Sequence, residues 1–179
     1  GRNPAVYWEV EQFSKEFAEK VGLSSDTHIY GEVGILQPIY RDIKYWQTYL
    51  QKTTHTDDDY GPLAVLIDLI NNPDGALFQR QIFSLVDKES FYAWNIHALL
   101  SATNRMDWAQ NIRLYWNPAL GKFQFFPWDT GVGSGWIEPD PLVIDQGSNP
   151  LINRVLSYPE FLSERNLRLW EDVNNRGRM

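Results

Sequence analysis

The sequence predicts an α+β fold, a mainly helical body that carries one small β-hairpin. Apolar residues recur at three- and four-residue spacing through most of the chain, which is the signature of amphipathic helices. Two alternating runs flank the turn Asn117-Pro-Ala-Leu-Gly121 and read as a hairpin. The remaining strand-like runs lie within the first 35 residues. No internal repeat and no low-complexity stretch interrupts this order.

Residues 5–10 (AVYWEV) read as a strand rich in aromatic and β-branched side chains. Over 12–21, Phe13, Phe17 and Val21 recur every fourth residue, so a helix is expected that Gly22 stops. Residues 27–33 are a short strand candidate, and Ile39, Ile43, Trp46 and Leu50 predict a helix over 39–51. His55-Thr-Asp-Asp-Asp59 reads as a solvated loop that caps the next helix, in preference to a metal-binding run. Pro62 opens a buried helix to residue 70, and 71–75 (NNPDG) form a turn. Asp87 caps a helix to about residue 102, with Phe91, Trp94, Ile96 and Leu99 toward the core. After the hairpin, 131–147 read as a long loop with four Gly and two Pro. Pro150 and Pro159 open two final helices, to residues 156 and 173, and the last four residues read as a frayed end.

The 179 residues suit a single domain with a real core, or a domain plus a fragment of another. Hydrophobic residues at 43% and charged residues at 22% are those of a globular chain. The eight tryptophans are expected mainly in the core rather than on a stacking surface. A net charge of −7 with no basic stripe argues against a nucleic-acid partner, although a nucleotide neutralised by a metal stays compatible. Without cysteine there is no disulfide, thiolate or Cys-based zinc chemistry. No apolar run has the length of a membrane span. The chain starts at Gly1 without Met and enters strand-like sequence at once, as a piece of something longer would.

The hairpin carries the chemistry. Asn111 stands just before its first strand and Asp129 just after its second, with Asp107 slightly upstream, so the three are expected to share one mouth of a cleft. Such an oxygen-rich cluster suits Mg²⁺, which takes one or two carboxylates and fills its shell with water and phosphate oxygens. Asp, then Asn, then a second Asp across a hairpin is also the layout of a phosphoryl-transfer centre of the protein-kinase type. Asp129 follows the apolar stretch Phe125-Phe-Pro-Trp128, and a carboxylate there ends up either paired with a cation or on a metal. The metal is the favoured partner. Asp107 reads either as the base for a hydroxyl acceptor or as a loop Asp bonded to its own backbone. Asn111 reads either as a ligand or as a turn residue. The loop after Asp129 lacks the Lys and spacing of a phosphate-binding loop. His28, His55 and His97 are scattered, and His97 is expected in the core. No G-x-S-x-G elbow occurs. Glu9 and Glu11 alternate with Trp8 and Val10 and read either as one solvated face or, for Glu11, as lining a pocket at the end of the first strand.

Four stretches together resemble the CotH family, the spore-coat-protein-H-like atypical kinases. Val6-Tyr-Trp-Glu-Val-Glu11 is similar to the family's first strand, and Phe13, Phe17 and Ile29-Tyr30 follow in its order. Asn111-x-x-Leu-Tyr115 resembles its N-x-x-L-Y strand. Phe126-Pro-Trp-Asp129 resembles its P-W-D segment at the usual separation. Asn149-Pro-Leu and Tyr158-Pro-Glu-Phe161 resemble its paired helix starts. Two positions depart from the pattern: Met106 stands where the family places its catalytic Asp, one residue before Asp107, and Gly131 stands where it has a second acid.

The resemblance implies a kinase-like fold, chiefly the helical C-terminal lobe with its catalytic hairpin. Residues 1–35 would end the small lobe and 36–179 would form the helical lobe, with most of the small lobe missing. It implies ATP with Mg²⁺ or Mn²⁺ as cofactors, and transfer of the γ-phosphoryl to Ser or Thr of surface or spore-coat proteins. Asn111 and Asp129 would be the metal ligands, Asp107 the catalytic residue and Glu11 a nucleotide contact. A spore-coat or cell-surface location is implied as well. The alternative is a non-catalytic kinase-like interaction module of a coat or surface assembly. An aromatic-rich carbohydrate-binding domain fits less well, because the tryptophans follow helical spacing.

Overall fold

The computed structural model describes residues 15–24, 28–32, 40–48, 60–105, 111–129, 140–147 and 149–176. Among these, a four-stranded antiparallel sheet runs in the order β2-β1-β3-β4. β1 is Ile29–Glu32, β2 Trp46–Thr48, β3 Arg113–Asn117 and β4 Lys122–Phe126. The helices are α1 (Lys15–Lys20), α2 (Gly61–Asn71), α3 (Gly75–Leu85), α4 (Lys88–Leu100), α5 (Pro141–Asp145), α6 (Pro150–Leu156) and α7 (Pro159–Arg176). The chain is therefore α+β and mainly helical.

The hairpin forms where the sequence places it. Asn117 Oδ1 accepts from the N–H groups of Ala119 (3.1 Å) and Leu120 (3.2 Å), and Gly121 closes the turn at φ 63°. That left-handed position suits a residue without a Cβ. The register then sets Leu114 opposite Phe125 and Arg113 opposite Phe126. Because strand side chains alternate, the two faces have different fates. Leu114, Phe123 and Phe125 join the main core with the helices. Tyr115 and Ile29 form a smaller core with Ala18 of α1, and Phe17 and Phe126 pack on it.

The hairpin is stitched to the helical body. Asp87 N–H donates to the Phe123 carbonyl at 2.8 Å, and Phe125 N–H donates to Ser90 Oγ at 3.3 Å. Phe91 of α4 meets Phe125 edge-on at 5.4 Å, and Trp94 meets the same ring at 5.1 Å. Deeper in the body, Arg165 of α7 is buried and binds Asp145 of α5 and Asn95 of α4, the latter at 2.9 Å. One guanidinium thus ties three helices.

Capping explains most helix starts. Asp74, Asp87 and Asp140 each accept a backbone N–H at 2.9–3.0 Å, and Asn149 accepts two. At α2 the cap residue is Tyr60, which makes no side-chain bond there, while Pro62 sits in the first turn as expected. Residues 49–59 lie outside the described residues, as does the strand expected over 5–10.

Several expectations fail for identifiable reasons. Of the helix expected over 39–51, the described residues 40–48 form only a 3-10 turn, Ile43–Tyr45, followed by β2. Tyr40 takes a left-handed φ of 59°, Asp42 caps the turn, and Trp46 pairs with Glu32 along the sheet edge. Sheet pairing wins because Trp46 reaches the core from a strand as well as from a helix. Helix α3 was not anticipated beyond its preceding turn, although Asp74 caps it and Phe78 and Ile82 form its buried face. Helix α5 occupies part of the expected 131–147 loop. His97 is exposed and not a core residue; among the described histidines, His28 is buried. Trp46 and Trp94 are core residues, but Trp170 faces solvent. Among the described residues no helix is long and apolar enough to cross a membrane.

Candidate functional site

The mouth of the hairpin is organised by Arg105, which lies between α4 and β3. Its backbone carbonyl accepts from Asn111 Nδ2 at 3.0 Å, and its Nη2 pairs with Asp129 Oδ2 at 2.8 Å. Asn111 precedes β3 by two residues and Asp129 follows β4 by three. Arg105 therefore links the two ends of the hairpin, one through its backbone and one through its side chain.

This arrangement fixes the chemistry of Asn111. A carbonyl only accepts, so the amide atom facing Arg105 must be the NH₂ group, and Oδ1 is turned the other way. The side chain is 2% exposed, which holds that orientation. Asp129 differs: its side chain is 46% exposed and its backbone is left-handed at φ 47°. Asp tolerates that conformation better than most residues, and the turn re-aims its carboxylate away from the strand axis.

A second arginine lies beneath. Arg113 is buried on β3, donates from Nη1 to the Ile112 carbonyl at 2.8 Å, and stacks its guanidinium 5.4 Å from the Trp128 ring. Trp128 immediately precedes Asp129, so this cation–π contact steadies the segment that presents the carboxylate. Around them Phe126 packs on Phe17 (6.3 Å) and Tyr115 (6.1 Å). The floor is rigid and aromatic, and the polar atoms sit at its rim.

The structure thus brings Asn111 and Asp129 to one locality. Asp107, Glu11 and Gly131 lie outside the described residues. Of the two partners the sequence allowed for Asp129, the structure displays the cation, Arg105. Among the described residues there is no cluster of three or more His, Cys, Asp or Glu to hold a metal. The donors present nevertheless fit a hard cation. An amide oxygen fixed by its own NH₂ group and a solvent-facing carboxylate are the one- or two-ligand set with which Mg²⁺ is held when phosphates complete its shell. Each carboxylate has about four acceptor sites, so the pair with Arg105 does not exhaust Asp129.

Sequence reasoning missed Arg105 and Arg113. Arg113 gave no clear signal, because a charged residue between Ile112 and Leu114 reads as the outward position of an alternating strand, and only the fold shows that it is buried. Arg105 carried none, because its role depends on the chain folding back from α4 toward the hairpin.

A family model described as CotH kinase protein matches residues 4–176. The chain is also 26% identical over 172 residues to the inner spore coat protein H of Bacillus subtilis (strain 168), a match that covers 90% of this chain and 47% of that protein. The chain spans about half the length of this curated relative.

Proposed function

The chain belongs to the CotH family, and from that premise we propose that it is the helical lobe of an atypical, kinase-like protein kinase. The reaction is transfer of the γ-phosphoryl of ATP to Ser or Thr of a protein, with Mg²⁺ or Mn²⁺. The observation that carries this reading is the convergence of Asn111 and Asp129 through Arg105 at the hairpin mouth. In this reading Asn111 Oδ1 and the Asp129 carboxylate hold the divalent ion, which when bound would offset negative charge on the phosphates. Asp107 orients the acceptor hydroxyl and Glu11 contacts the nucleotide. The rigid seat of the hairpin on α4 supplies the fixed geometry that phosphoryl transfer needs, since that chemistry is mostly positioning. Residues 1–35 belong to the end of a small lobe, and 36–179 to the helical lobe. That the relative is itself an inner spore coat protein supports the spore coat or cell surface as the location and coat or surface proteins as the proposed substrates.

The test is nucleotide binding and phosphate transfer by the full-length protein. ATP is expected to bind only with Mg²⁺ or Mn²⁺, and labelled γ-phosphate to appear on protein; Asp129→Asn should reduce both to background. A wild type that neither binds ATP nor labels any protein ends the catalytic reading.

A second reading has an observation of its own. Asp129 is already paired with Arg105, and Gly131 stands where the family pattern has another acid. A carboxylate neutralised internally belongs equally well to a non-catalytic interaction module of a coat or surface assembly. Intact folding and partner capture without nucleotide binding is the outcome that selects it.

A further inference from the structure

We infer that Arg105 is an exchangeable internal counter-ion of Asp129: it occupies the carboxylate when no metal is bound and must yield it for a divalent cation to bind tightly. The inference rests on the metal reading of Asn111 and Asp129 given above. Three features of the site carry it. The Arg105 guanidinium contacts Asp129 Oδ2 at 2.8 Å, the same carboxylate that would take the ion. The Asp129 side chain is 46% exposed and the Arg105 side chain 18%, so water and ions reach the pair from the carboxylate side. The Arg105 backbone is pinned by the bond from Asn111 Nδ2, so its carbonyl holds Asn111 independently of where the guanidinium sits.

These features separate the two halves of Arg105. Its carbonyl is structural, because it orients the Asn111 amide and so aims Oδ1. Its guanidinium is electrostatic, because it neutralises Asp129 in the absence of another cation. A divalent ion on Oδ2 displaces the guanidinium outright. One on the other oxygen sits within a few ångströms of a positive charge and is repelled by it. In both cases the competent form of Asp129 is only a fraction of the population, and the apparent metal affinity falls by that fraction. Buried Arg113 does not compete in this way, since its guanidinium is committed to the Ile112 carbonyl and the Trp128 ring.

The experiment is Mn²⁺ binding, by calorimetry or electron paramagnetic resonance, to wild type, Arg105→Gln and Asp129→Asn, with thermal melting of the same proteins and the double variant in EDTA. Arg105→Gln keeps the backbone carbonyl and removes the charge. It is expected to bind Mn²⁺ about three- to tenfold more tightly than wild type, the range set by the strength of a solvated ion pair. In EDTA, the loss from Arg105→Gln should be smaller in the Asp129→Asn background, because the pair is then already broken. Mn²⁺ affinity that is unchanged or weaker in Arg105→Gln overturns the exchange and leaves the metal reading standing. If neither wild type nor Arg105→Gln binds Mn²⁺, the metal reading and the exchange fall together. Coupling in EDTA would then mark the pair as structural only.

Discussion

Two asparagines, one in the helical body and one at the hairpin mouth, use opposite ends of the same amide. Asn149 is fully buried and spends its oxygen on structure: Oδ1 accepts from Leu151 N–H at 3.0 Å and Ile152 N–H at 3.3 Å, capping α6. Asn111 spends its nitrogen, donating Nδ2 to the Arg105 carbonyl, which leaves its oxygen on the other side of the amide. Both residues belong to stretches that resemble family motifs, yet one closes a helix and the other ties the hairpin mouth to the Arg105 carbonyl. Motif membership alone does not mark a functional residue; which polar atom the fold consumes does. The same contrast holds for the regions around them. The body satisfies its charges internally, as Arg165 does with Asp145 and Asn95, whereas the mouth leaves Asp129 half in solvent.

The largest expected effect tests whether the body is the source of stability. Phe91 is fully buried and meets Phe83, Trp94 and Phe125 at 5.4–6.2 Å. Phe91→Ala should cost about 3–5 kcal/mol, the range for removing a large aromatic from a packed core. Asp129→Asn should cost clearly less, on the order of 1 kcal/mol, because its carboxylate is half in solvent and no packed side chain is lost. Urea unfolding of the two variants checks this. Comparable losses would mean that the mouth is part of the structural core.

Much of this contrast was legible in the chain. The hairpin was readable because Asn117 and Gly121 fix the turn, and turn chemistry fixes register without help from distant residues. Asp87, Asn149 and the prolines at 150 and 159 marked their helices for the same local reason. Residues 39–51 failed because Ile43 and Trp46 satisfy a helical pattern and a sheet edge equally, and pairing with β1 decides between them. Helix α5 was hidden by the Gly and Pro residues that precede it. At the site, Asn111 and Asp129 were readable from their places about the hairpin. Arg105 was not, since its partner is 24 positions away in sequence and is reached only after folding.

The second prediction sharpens the comparison of the two amides. Asn149→Ala should destabilise the chain by about 1–2 kcal/mol, because two N–H groups at a buried helix start lose their acceptor. Asn149→Ser should recover most of that loss, and divalent-metal binding should not change in either variant. Asn111→Ala is expected to do the reverse: a loss of metal affinity that exceeds its effect on melting. A metal defect in Asn149→Ala would show that the α6 motif contributes to the site and is not merely a cap.

The smallest expected effect concerns how the two regions handle charge with pH. On the body, Arg168 of α7 pairs with Glu89 at 2.7 Å and Glu164 at 2.9 Å, and Lys88 reaches Glu164 at 3.0 Å. The Arg168 hydrogen bond holds the Glu89 carboxyl below its usual 4.5. Burial pushes Glu164 up, but the bonds from Lys88 and Arg168 outweigh it and the net shift is downward. Both folded carboxyls therefore titrate below their unfolded values. Their stabilisation is fully present above about pH 4.5 and is lost as the pH falls through the lower, folded values. Arg168→Ala removes the chief cause of the depression, so its melting temperature should lie about 1–3 °C below wild type near neutrality, and the gap should close toward pH 3. Glu89 and Glu164 are side chains of a partly exposed seam, so a gap that persists unchanged to pH 3 would mean that Arg168 acts by packing against the Tyr92 ring, 5.0 Å away, and not by charge.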